Sequence, residues 1–121
     1  MSKSNREARE KLIKLYGAEC FIEKLHLRKD DKPRQYKSKG QYYRMKQLTY
    51  HHILERSKGG AATVENGALL SAENHEWFHK QKEPQRQEMN QAFQDYKKGY
   101  KIGIAQVTTD GAKDTKIIEL P

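Results

Sequence analysis

The chain carries one cysteine, Cys20, in 121 residues. No intramolecular disulfide can form, so the fold does not depend on an oxidising compartment. No stretch approaches the roughly 18 consecutive apolar residues of a membrane span. The opening residues, MSKSNREARE, contain no apolar stretch, which argues against a secretory signal. A soluble, intracellular protein is expected on these grounds. Apolar residues are themselves scarce, at 35% against 33% charged. The core must therefore be small, and a bound metal would add stability by favouring the folded state. A Gly-rich phosphate loop, a Ser-His-Asp arrangement, a Rossmann fingerprint, an internal repeat and a low-complexity tract are also absent. The length predicts one domain, residues 1–121.

Positive charge is abundant and uneven. Lysine and arginine number 24 against 16 acidic residues, a formal charge of +8. Residues 24–46 hold Lys24, Arg28, Lys29, Lys32, Arg34, Lys37, Lys39, Arg44 and Lys46 against only Asp30 and Asp31. A basic segment this concentrated suits a polyanionic partner such as nucleic acid, or else a solvated linker. With Pro33 and Gly40 inside it, residues 28–41 read as a loop or arm.

The remaining pattern predicts an α+β fold. Residues 4–16 suit a helix, with Ser4 as cap and Glu7 in capping-box spacing, stopped by Gly17. Residues 48–53 (LTYHHI) and 68–70 (ALL) read as strands joined by a loop over 55–67, in which Gly59 and Gly60 permit positive φ. Ser71 caps a helix running to about Gln81. Pro84 opens another through Met89, Ala92, Phe93 and Tyr96, stopping near Gly99. Residues 100–108 and 115–120 fit a terminal β-hairpin about Asp110–Gly111.

Four of the five histidines fall between His51 and His79. His75 and His79, four apart on a helix, put both imidazoles on one face and form a natural pair of metal ligands. A third ligand can come from His51 or His52. Neighbours on a strand point to opposite sides. One of the two can therefore bind metal while the other keeps a nitrogen free to act as a base near neutral pH. Each pair alone is also compatible with ordinary surface histidines. Trp77 and Phe78, between the helical histidines, are expected to anchor that helix in the core, and His26 to be surface.

The run 51-HHILERSKGG-60, then Asn66, then 75-HEWFH-79 resembles the HNH endonuclease motif, the ββα-metal nucleases. The variant, with histidine first and His-x-x-x-His last, is similar to that of the bacterial colicin DNases, in a setting like small phage- or mobile-element-borne proteins. The resemblance covers residues 48–81. It implies a ββα-metal core with flanking N- and C-terminal helices. It implies one divalent ion on His51, His75 and His79, with His52 as general base. Asn66 would brace the hairpin loop and so orient His52, or serve as a plain turn residue before Gly67. Three imidazoles favour Zn, Ni, Mn or Co over Mg. The implied partner is DNA, with RNA left open. The implied setting is cytoplasmic, in a phage-infected host for a phage protein. A protein partner would supply sequence specificity, since no separate DNA-reading motif is present.

The chain departs from relatives that hold a structural zinc with two Cys-x-x-Cys pairs. Those positions here are Cys20 and Glu23, then Ser71 and Asn74. No structural zinc is expected, and Cys20 reads as a small buried residue. Arg44, Lys46, Arg56 and Lys58 are candidate nucleic-acid contacts, and Tyr36, Tyr42 and Tyr43 are candidates for stacking on bases. The competing reading is a non-catalytic nucleic-acid-binding module, or an accessory subunit, whose metal is structural.

Overall fold

The computed structural model describes residues 2–30 and 34–110. It combines helices with one two-stranded antiparallel sheet, an α+β arrangement. In chain order the elements are α1 (Lys3–Tyr16), α2 (Phe21–Lys24), α3 (Lys39–Lys46), β1 (Leu48–His52), β2 (Gly67–Ser71), α4 (Ala72–His79) and α5 (Gln85–Asp110). A 3-10 turn at Arg56–Lys58 lies in the loop between the strands.

Helix α1 starts earlier than its sequence suggests. Ser2, rather than Ser4, is the cap: its hydroxyl accepts from the Asn5 amide at 3.1 Å. Lys3 is a good helix former, so the helix extends back to the first of the two serines, and Ser4 and Glu7 lie inside it. Ala8, Leu12 and Tyr16 make the buried stripe, at the four-residue spacing of one helical face. Gly17, at φ 90°, terminates it by donating its N–H to the Ile13 carbonyl.

The strands pair in one register: Thr49 opposite Leu70, His51 opposite Ala68, His52 opposite Gly67. Alternation assigns Thr49 and His51 to one face, Tyr50 and His52 to the other. The Thr49 side chain meets α4, while Tyr50 lies near Gly67 and Leu12 of α1. With helices on both sides, all five residues of β2 are buried. The loop doubles back tightly between the strands. Gly59 sits at φ 91°, and a Cβ on Gly60 would fall 1.8 Å from the Leu54 carbonyl oxygen, so only glycine fits there.

The core gathers Leu12 and Tyr16, Phe21 and Ile22, Leu69 and Leu70, Phe78, and Met89, Phe93 and Tyr96. Each fully buried Leu, Ile or Phe contributes about 1.5–3 kcal/mol relative to exposure. Phe21 of α2 inserts between Phe93 and Tyr96, at ring-centroid distances of 6.0 and 5.1 Å. Helix α5 also sends Lys97 inward. Its ammonium donates to the carbonyls of Val64, Glu65 and Gly67 at 2.7–2.8 Å, which ties the inter-strand loop to the helix.

One expectation fails and another is shortened. Helix α5 begins at Gln85, just after Pro84, and does not stop near Gly99. It runs to Asp110, so residues 100–108 are helical rather than half of a hairpin; residues 115–120 lie outside the described residues. An interior glycine costs a helix only about 1 kcal/mol, and the partly buried Tyr100 packs on Tyr16 with ring centroids 5.2 Å apart. The loop read over 28–41 holds for its described residues up to Ser38, but its last three positions are helical. Helix α3 starts within it, capped by Ser38, whose hydroxyl accepts from the Gln41 amide at 3.1 Å. None of its residues is buried, so no apolar period marked it in the sequence. Among the described residues no helix is long and apolar enough to cross a membrane.

Candidate metal centre

His51 ends up in the core. It is 3% exposed, and its ring packs on Phe78 at 4.5 Å and Phe93 at 5.8 Å. His75 and His79 project from α4 toward it. Ser71 starts that helix by accepting from the Asn74 amide at 3.3 Å, and Phe78 pins it to the core. The three histidines lie close enough to hold a metal ion: one ring nitrogen from each falls within 4.8 Å of the others.

Hydrogen bonding fixes which nitrogens are offered. The Thr49 hydroxyl contacts the Leu70 carbonyl and His75 Nδ1, each at 2.7 Å. A carbonyl can only accept, so the single hydroxyl proton goes to Leu70. The Thr49 oxygen must then accept from His75 Nδ1–H, which leaves Nε2 with a lone pair. At His51, the Asn90 amide settles the matter. Its Nδ2 donates to the Ile53 carbonyl at 3.3 Å, so its Oδ1 faces His51 Nε2 at 2.8 Å and can only accept. His51 therefore carries its proton on Nε2 and a lone pair on Nδ1.

Those two lone pairs face each other across 3.4 Å. With neither nitrogen protonated, this is not a hydrogen bond but a repulsion that a cation would remove. Two nitrogens bound at roughly 2.0–2.1 Å to a tetrahedral ion are about 3.3–3.4 Å apart, so the donor set fits a metal. Burial also keeps the rings neutral. It is the main cause holding His51 down at about 3 and His75 down at about 4, from an ordinary 6.5, and the neighbouring histidines add to both. The Asn90 bond opposes this at His51 without overcoming it.

His52 stands apart from the three. It is half-buried, its ring 4.8 Å from that of Tyr50, and neither ring nitrogen has a hydrogen-bond partner among the described residues. Burial, then the Arg56 charge, lowers its pKa. Asn66 crosses the inter-strand loop beside it. Its Oδ1 accepts from the Leu54 amide at 2.8 Å, and its Nδ2 donates to the carbonyls of Leu54 and Ala61, both at 3.0 Å. A cleft of about 330 Å³ opens here, bordered by His51, His52, Leu54, Lys58, His79 and Arg86. A larger cleft of about 650 Å³ lies between α1 and residues 62–65, away from every histidine.

The basic candidates divide. Arg56 and Lys58 are exposed on the 3-10 turn, and Lys58 borders the histidine cleft. Arg44 is exposed on α3. Lys46 is occupied instead by Glu73 at 3.1 Å and Glu23 at 3.7 Å. Tyr36 binds both carboxylate oxygens of Glu73, at 2.8 and 2.7 Å, and Tyr42 and Tyr43 stack edge-to-face in series with it. His26 is exposed and outside the cluster. Sequence reasoning missed Thr49, Asn90 and Arg86. The first two act on rings 26 and 39 residues away, a range at which no local pattern is informative.

Cys20, Glu23, Ser71 and Asn74 also meet in space. Asn74, fully buried, donates through Nδ2 to Glu23 at 3.3 Å and to the Cys20 sulfur at 3.5 Å. Its Oδ1 accepts from Arg28 at 3.1 Å and Arg34 at 3.2 Å. Comparison with protein-family models, with curated proteins and with solved structures gives no match to this chain.

Proposed function

We propose that this chain is a metal-dependent endonuclease of the HNH type, built on a ββα-metal core, which hydrolyses phosphodiester bonds in DNA. The observation that carries the reading is the division of labour among four histidines. Three converge with two lone pairs facing across 3.4 Å, while a fourth, next to one of them in sequence, has no hydrogen-bond partner among the described residues. A purely structural metal has no use for that fourth ring.

In this reading His51, His75 and His79 hold the ion. When bound, the ion supplies charge stabilisation at the scissile phosphate and the departing 3′ oxygen. His52 takes a proton from water as the water oxygen bonds to phosphorus, and the bond from phosphorus to the 3′ oxygen breaks. A neutral His52 is ready for this at pH 7, because its pKa is lowered. Asn66 holds the loop that follows His52, through its three bonds to Leu54 and Ala61. Lys58, with Arg56 nearby, supplies positive charge for the phosphodiester backbone. Imidazole ligands favour Zn, Ni, Mn or Co. Among the described residues the fold offers no separate DNA-reading element, so cleavage by the isolated chain should show little sequence preference.

The test is incubation of supercoiled plasmid with the chain and Mg²⁺, Mn²⁺, Ni²⁺, Co²⁺, Zn²⁺ or EDTA. Conversion to open-circle or linear DNA with a transition metal, and none in EDTA, is expected. Absence of cutting with every ion, together with metal and DNA binding, would replace this reading with a non-catalytic binding module or a subunit of a larger phage or mobile-element complex.

A further inference from the structure

The structure assigns Asn90, on α5, as a positioning residue that selects which nitrogen of His51 faces the metal and holds the backbone carbonyl of Ile53, the residue after His52. The assignment rests on the metal reading of the histidine cluster. It adds a residue from a helix outside the strand–loop–strand–helix unit that carries all four histidines.

The argument begins with burial. His51 is inside the core, so a ring nitrogen left without a partner there would carry a desolvation cost. One nitrogen faces His75, and the other needs a partner from elsewhere. The nearby aromatic residues, Phe78 and Phe93, offer none. Asn90 Oδ1 fills that role at 2.8 Å. A glutamine, serine or water could accept the same proton. What distinguishes Asn90 is its second bond, from Nδ2 to the Ile53 carbonyl at 3.3 Å. That bond prevents the amide from flipping. A flipped amide would present a donor to His51 Nε2, move the ring proton to Nδ1 and remove the lone pair that faces His75.

The same bond ends at the carbonyl of Ile53, the residue after His52, so one side chain ties a metal ligand to the segment carrying the proposed base. Asn90 itself is well fixed. It lies between Met89 and Phe93 on α5, both buried, and α5 is tied to the loop through Lys97. On β1, Thr49 sets the tautomer of His75 in the matching sense. Both rings are thus locked before any ion arrives, which removes a reorganisation step from binding. Partners of this kind, lying behind metal ligands, are commonly worth 10- to 100-fold in metal affinity.

The experiment is long-range ¹H–¹⁵N correlation of the histidine rings in metal-free, ¹⁵N-labelled protein near pH 7, followed by Co²⁺ titration. Wild type, Asn90→Leu and Asn90→Asp are compared, with amide spectra confirming the fold of each. Wild-type His51 should carry its proton on Nε2. Asn90→Leu should shift His51 toward the other tautomer and weaken Co²⁺ binding about 10- to 100-fold. Asn90→Asp, which keeps an acceptor, should preserve the tautomer and most of the affinity. A His51 proton found on Nδ1 in wild type, or unchanged tautomer and affinity in Asn90→Leu, would overturn the assignment. If wild type keeps the Nε2 proton but binds no Co²⁺, the metal reading fails and the role assigned to Asn90 toward a metal fails with it, while its control of the His51 tautomer stands.

Discussion

Two clusters of polar side chains flank α4, and they differ in what they leave unsatisfied. Around Asn74, at the start of the helix, every polar atom of the amide has a partner: Oδ1 accepts from Arg28 and Arg34, and Nδ2 donates to Glu23 and Cys20. Next to it, Glu73 is taken up by Tyr36, Lys46 and Arg34. Around His75, further along the same helix, two lone pairs face each other and a third imidazole stands close by. The amide of the first cluster is satisfied by protein groups alone and ties the basic segment to α4, although Arg34 Nε beside it is buried without a hydrogen bond, 3.7 Å from Glu73. The second leaves three ring nitrogens close enough to hold a metal ion. Polar density alone does not mark a site. What marks it is a set of donors whose orientation makes sense only with something between them.

The largest expected effect lies in the histidine cluster. His52→Ala should lower DNA cleavage about 10²- to 10⁴-fold, the usual range for a general base, while Zn²⁺ or Co²⁺ affinity stays near wild type. Parallel loss of metal binding would place His52 among the ligands and merge two roles that this account separates.

The second effect is on stability against pH in the metal-free protein. The unfolded chain protonates its histidines near 6.5, whereas folded His51 resists until about 3 and His75 until about 4. Between those values the unfolded state binds more protons, so stability falls as pH drops from about 6.5 toward 4. The loss should be on the order of 3–5 kcal/mol, read from urea midpoints. Bound metal should move the onset of this loss to lower pH. A flat profile in the metal-free chain would show that His51 and His75 are not held neutral.

Asn74→Ala comes next. It strips an acceptor from two guanidinium groups and should cost about 2–3 kcal/mol of folding stability, with metal affinity per folded molecule unchanged. A loss of metal affinity instead would mean that the two clusters are energetically one.

The smallest effect separates two lysines of equal charge. Lys58→Ala should weaken DNA binding a few-fold and reduce the salt dependence by about one phosphate contact. Lys46→Ala should leave DNA binding alone and cost about 1 kcal/mol or less of stability, because its ammonium is already held by Glu73 and Glu23. Filter binding across a salt series distinguishes them.

Legibility in the sequence followed the range of the interactions. The four-residue spacing of His75 and His79, the Ser71 cap and the two strands depend on near neighbours; the local pattern indicated them, with the strands read as 48–53 and 68–70 and found as Leu48–His52 and Gly67–Ser71. The α+β class followed from the same signals. Helix α3 escaped because it buries nothing, and α2 because it spans four residues. The hairpin expected beyond Gly99 rested on β-branched residues and an Asp-Gly turn. The register of α5 against Tyr16 outweighs that local preference. Thr49 and Asn90 look like ordinary polar residues in the sequence, and only the packing of β1 against α4 and α5 gives them their task. Lys46 shows the converse: a basic residue in a basic run whose charge is directed inward.

The most direct test of the central claim is equilibrium dialysis against Zn²⁺, with native mass spectrometry of wild type and His75→Ala. One ion per wild-type chain, lost or severely weakened in His75→Ala, is the predicted result. No ion in wild type would mean that the histidine cluster is only packing, and two ions would mean that the Asn74 cluster is not the closed arrangement described here.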